Sequence, residues 1–132
     1  PNQMARLSNA SAFLNETLNQ LNWVGFYLYD GHQLTVGPFQ GKVACSTIPL
    51  GKGICGEAAL MMKTRVVDDV LSYENHIACD ANSRSEVVVP IIINDRLFGV
   101  LDVDSPVENR FDPATVGFLE QFIVLLSKTI DN

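Results

Sequence analysis

EVVVPIIINDRLFGVLDVDS, residues 86–105, is the stretch that decides the fold. Two runs of β-branched and aliphatic residues flank Asn94-Asp95, and a short turn at that pair closes them into an antiparallel hairpin. Side chains alternate across a strand, so Leu101 and Val103 point to one face while Asp102 and Asp104 point to the other. Glu86 begins the partner arm, and closing the hairpin brings it near Asp102 or Asp104. Two solvated acids on an open sheet face would need no function. Three acids in one covered pocket would repel one another and raise at least one pKa, making either a cation-binding site or a proton donor.

Outward from this hairpin the chain alternates sheet and helix signals. Residues 22–39, NWVGFYLYDGHQLTVGPF, form a first hairpin around Asp30-Gly31, where Gly takes the positive φ of a tight turn. QGKVACSTIPLGKG is a Gly- and Pro-punctuated connection, ICGEAALMMKT a short helix, RVVDDV a short strand, and residues 71–85 an irregular loop. Residues 4 to about 20 place Leu7, Ala10, Leu14 and Leu18 at helical spacing, and Asp112-Pro113 caps a final helix, ATVGFLEQFIVLLSKTI. The order predicts an α+β domain, an antiparallel sheet with helices gathered on one face.

The chain has 132 residues, enough for one domain over 1–132 whose residues 1–20 hold the N-terminal helix. The start at Pro1 reads as an incomplete end, with room for an upstream helix. A net charge of −6 with only 9 scattered basic residues argues against nucleic acid and anionic membranes as partners. No stretch has the apolar length of a membrane span or a signal peptide, which makes the cytoplasm the expected compartment.

Cys45, Cys55 and Cys79 are odd in number and fit neither a secreted disulfide framework nor a zinc site, so no metal is expected. Cys55 sits in the apolar start of a helix and suits a core position. Cys45 and Cys79 lie among Gly, Ser, Asn and charged residues, in loops that would let them reach a substrate and each other. His76 precedes Cys79 by three residues, and as an imidazolium it would favour the thiolate; a loop histidine bonded to backbone or water is the plainer reading. GKGICGEAA lacks P-loop spacing, though glycines before a helix N-terminus could expose N–H groups to a carboxylate. Trp23 and Tyr27 share one face of the first strand, as core or pocket wall, and Phe26 takes the other.

Taken in order, NWVGFYL, GPFQGKVAC, IPLGKGICG, HIACD, SRSEVVVP and GVLDVDSP followed by RFD resemble the free methionine-(R)-sulfoxide reductases, single GAF domains. The resemblance spans Asn22 to Asp112 and includes all three family cysteines. It implies a ligand pocket on the sheet face away from the helices, under the loops, and reduction of the R epimer of free methionine sulfoxide. It also implies Cys79 as the catalytic cysteine, Cys45 as the resolving one with which it forms a disulfide, and Cys55 in a supporting role. Glu86, Asp102 and Asp104 become acidic pocket residues, Trp23 and Tyr27 the aromatic wall, thioredoxin the reductant and a homodimer the assembly, with no cofactor. The rival is a non-catalytic GAF sensor, which would be joined to an output domain and would not need Cys45 and Cys79 together. A structural or dimerising domain would instead bury all three thiols.

Overall fold

In the computed structural model, which describes residues 2–130, β5 (Ser85–Ile93) and β6 (Arg96–Ser105) form the expected hairpin. Asn94 and Asp95 both adopt positive φ, +53° and +62°, the pair of left-handed residues that a two-residue turn needs to match strand twist. The ladder runs from Ile93 opposite Arg96 to Ser85 opposite Ser105. Pro1, the expected incomplete end, lies outside the described residues, as do positions 131 and 132 of the expected domain.

The first hairpin joins β1 (Trp23–Tyr29) to β2 (Leu34–Gly41). Its turn is four residues long rather than centred on Asp30-Gly31 alone, because the Asp30 carboxylate accepts from the N–H groups of His32 and Gln33. β1 pairs with β6, so the two hairpins merge. With β3 (Thr47–Ile48) and β4 (Arg65–Val67) at the edges, the sheet has six strands in the order β3-β2-β1-β6-β5-β4, every pair antiparallel.

α1 (Gln3–Thr17) and α3 (Pro113–Ser127) lie on one face. Asn2 caps α1 at Ala5 N–H, and Asp112 caps α3 at Thr115 N–H with Pro113 in the first turn. Leu7, Leu14, Leu119 and Ile123 pack there on Val24, Phe26, Val87, Leu101 and Val103, as the alternation in β6 requires. A buried Leu or Phe in such a layer contributes roughly 1.5–3 kcal/mol.

The other face holds Trp23, Tyr27, Val88 and Val100, covered by loops and by α2 (Gly53–Met61). Its short length and small residues, Gly56, Ala58 and Ala59, let α2 settle close to the sheet on the pocket side. A Cβ at Gly56 would come 2.4 Å from the Pro49 carbonyl oxygen, so this approach requires glycine.

Candidate active site

The alternation that buries Leu101 and Val103 under the helices turns Asp102 and Asp104 into the opposite face. Glu86 stands directly across from Asp104, and Val88 across from Asp102. All three carboxyls are buried, at 7% exposure for Glu86 and Asp104 and 6% for Asp102, and no basic side chain among the described residues pairs with them. Burial pushes the Glu86 carboxyl well above the usual range, and the neighbouring Asp102 and Asp104 charges push it further. Asp104 is raised well above its usual range by burial and by Asp102, and burial raises Asp102 as well. One oxygen each of Asp102 and Asp104, Oδ1 in both, is buried without a hydrogen-bond partner. Burial and mutual repulsion thus favour the protonated forms of these carboxyls, which can donate to a group that enters the pocket.

β1 supplies the wall. Trp23 lies opposite Asp104 on the neighbouring strand, and its ring stacks on Tyr27 and Phe39 with centroids 5.7 and 5.0 Å away. The Trp23 indole N–H donates to the Lys42 carbonyl at 3.2 Å, and the Tyr27 hydroxyl donates to the Cys45 carbonyl at 3.0 Å. Burial holds the Tyr27 phenol protonated, far above its ordinary pKa, so it is a fixed donor. Both aromatics thus anchor the connection that carries Cys45.

Cys45 and Cys79 are joined in a disulfide, with Cα atoms 5.3 Å apart across 34 residues of sequence. Cys55 is free, in the first turn of α2, and buried. Its thiol lies 3.9 Å from Glu86 Oε2. Burial and then the surrounding carboxylates push the Cys55 thiol well above its ordinary value, so it stays protonated and is a poor nucleophile. The core position expected for it is found, but in contact with the acids. Cys55, Glu86 and Asp102 place three donor atoms within 4.8 Å of one another, the one such group among the described residues. A cation there would have to displace the protons that burial keeps on these groups.

His76 and Cys79 both line the pocket. Burial lowers the His76 pKa, opposed in part by Asp102, so His76 is neutral at pH 7 and supplies no positive charge to a Cys79 thiolate. The imidazolium role is not supported. Nor is the first α2 N–H group open to a substrate carboxylate, because Gly53 N–H donates to Asn75 Oδ1 at 3.1 Å. With the disulfide closed, Cys79 and Asp80 stand in the lining of the same pocket as Trp23, Tyr27 and the three acids.

Sequence reasoning missed the polar groups that hold the Cys79 loop: Asn75, Asn22, and the Glu57–Arg65–Tyr73 cluster, in which Arg65 Nε sits 2.7 Å from Glu57 Oε1. A lone Asn in an irregular loop carries no periodic or spacing signal.

A GAF domain model matches residues 6–130. The chain is 44% identical over 127 residues to the free methionine-R-sulfoxide reductase of Escherichia coli, covering 96% of this chain and 77% of that one. Among solved structures, fRMsr of Staphylococcus aureus in complex with substrate superposes with a TM-score of 0.93 at 49% identity, covering 98% of this chain and 85% of the other. The free methionine-R-sulfoxide reductase of Neisseria meningitidis in complex with its substrate gives a TM-score of 0.93 at 43% identity, over 96% and 77% of the two chains.

Proposed function

The chain belongs to the free methionine-R-sulfoxide reductases, a family of GAF domains, and on that footing we propose that it reduces free L-methionine-(R)-sulfoxide to methionine by thiol chemistry at Cys79. The observation that supports this most directly is the Cys45–Cys79 disulfide, whose Cys79 lines the same pocket as three buried carboxyls.

A sulfoxide is a poor electrophile until its oxygen is protonated or strongly hydrogen-bonded. The Glu86–Asp102–Asp104 cluster donates that proton as the Cys79 thiolate attacks sulfur. Oxygen transfers to Cys79, methionine leaves, and Cys79 becomes a sulfenic acid. The Cys45 thiol then displaces that oxygen as water and closes the disulfide. A dithiol, for which thioredoxin is our proposal, restores both thiols by exchange. No metal or organic cofactor enters these steps.

The remaining carboxylate charge can hold the ammonium of a free amino acid, while Trp23 faces the S-methyl group and Tyr27 fixes the wall. The disulfide supports an order of events. Cys79 cannot attack while it is bonded to Cys45, so reduction of the disulfide precedes each turnover.

Thiol chemistry that must be reset by a dithiol suits the cytoplasm, and among the described residues no helix is long and apolar enough to cross a membrane. A homodimer through α1 is supported by the exposed Phe13, which stacks on Phe122 of α3 with centroids 5.8 Å apart.

The test is a single turnover without reductant. Fully reduced protein mixed with the free R epimer should release one methionine for each Cys45–Cys79 disulfide found by peptide mapping, and the S epimer should give none. Binding without methionine release would turn the assignment to a sensor module.

A further inference from the structure

The loop that carries Cys79 is held at two posts, one on each side of the cysteine. On the N-terminal side, Asn75 accepts from Gly53 N–H at 3.1 Å and donates through Nδ2 to the carbonyl oxygens of Gly51 and Gly53, at 3.1 and 3.3 Å, and to Glu57 Oε2 at 3.1 Å. Glu57 is itself held by Arg65 and by the Tyr73 hydroxyl. This post ties the loop to the start of α2.

On the C-terminal side, Asn22 Nδ2 donates to Asp80 Oδ2 and to Ser83 Oγ, both at 2.9 Å. Asn22 immediately precedes β1, and its own N–H donates to the Asp104 carbonyl at 3.0 Å. Asp80 also accepts from Asn82 N–H at 2.9 Å. This second post ties the loop to the central sheet.

Between the posts lie only His76, Ile77, Ala78 and Cys79, and among the described residues none of the four makes a side-chain hydrogen bond. Ile77 rests against Gly53, where a Cβ would meet it at 3.1 Å. Movement of the cysteine is thereby confined to a four-residue arc between two fixed ends.

We propose that Asn75 and Asn22 are positioning residues for the disulfide step, raising the effective concentration of Cys79 toward Cys45. This rests on the reductase reading above. With both ends of the arc held, Cys79 stays close to Cys45 when the bond between them is open, which lowers the entropy lost when the disulfide closes. In the step they assist, the Cys45 thiolate attacks the Cys79 sulfenic sulfur, the S–O bond breaks, and the oxygen leaves as water after taking up a proton. Neither asparagine lines the pocket, and cutting a post should favour the dithiol form.

The experiment equilibrates the protein with reduced and oxidised dithiothreitol and counts free thiols by mass after alkylation. Asn75→Ala and Asn22→Ala should each shift the Cys45–Cys79 equilibrium about tenfold toward the dithiol. A purely structural role would lower thermal stability and leave the redox equilibrium at the wild-type value. Two glycines inserted after Ile77 keep both posts and lengthen the arc, and should shift the equilibrium about twofold in the same direction, which keeps the test alive if an alanine variant does not fold. Wild-type equilibria in the folded variants overturn the proposal. A shifted equilibrium in a protein that releases no methionine from the R epimer would leave the posts standing and sink the reductase reading instead.

Discussion

Glu86 on β5 stands directly opposite Asp104 on β6, both buried and neither paired with a base among the described residues. Each keeps its proton to a higher pH in the folded chain than in the unfolded one. Their contribution to stability is therefore fully present below the unfolded carboxylate range, near pH 4, and is lost as pH rises toward their raised folded values. The melting temperature of reduced, ligand-free protein should fall, as pH rises above the unfolded carboxylate range, more steeply in the wild type than in Glu86→Gln. Parallel melting curves for the two proteins would show that Glu86 is not the group responsible.

In the proposed mechanism the same proton serves the chemistry. Glu86→Gln and Asp104→Asn should each lower kcat/KM for the free R epimer about a hundredfold, and wild-type activity should decline as pH rises through the cluster's raised pKa. Steady-state kinetics across the pH range read both effects. A variant with unchanged kcat/KM would remove its residue from proton donation.

Cys55 sits in a different environment from its two companions. Its 4% exposure and raised pKa should spare it from iodoacetamide in native reduced protein, while Cys45 and Cys79 are both modified. Cys55→Ala should still close the Cys45–Cys79 disulfide and cost about 1–2 kcal/mol of stability. Rapid labelling of Cys55 in folded protein would contradict its burial.

Tyr27 links the aromatic wall to the Cys45 loop through its bond to the Cys45 carbonyl. Tyr27→Phe should keep the fold, cost about 1 kcal/mol in chemical denaturation, and slow disulfide closure after sulfoxide treatment. Unaltered closure would show that the Cys45 loop is held without it.

What could be read in the sequence, and what could not, follows from the range of the forces involved. The alternation of Leu101, Asp102, Val103 and Asp104 is local, and it settled both the helix-covered face and the gathering of the acids. The caps at Asp112 and the turn at Asn94-Asp95 are equally local signals. β3 was illegible because its two residues leave no room for a period. The placement of α2 with the loops depends on small residues meeting a turn far from any pattern of its own. Cys45 and Cys79 could be singled out by their polar surroundings, but their 5.3 Å approach is a matter of how two loops fold over one pocket. Only the family resemblance pointed to that pairing beforehand. The contact of Cys55 with Glu86 and the posts at Asn75 and Asn22 arise from the same long-range geometry.

The central claim is that Cys79 attacks the sulfoxide sulfur. It is met most directly by assaying Cys79→Ser and wild-type protein on free R and S methionine sulfoxide, with thioredoxin, its reductase and NADPH. Wild-type protein should consume the R epimer and leave the S epimer, and Cys79→Ser should consume neither. Full turnover of the R epimer by Cys79→Ser would contradict the mechanism.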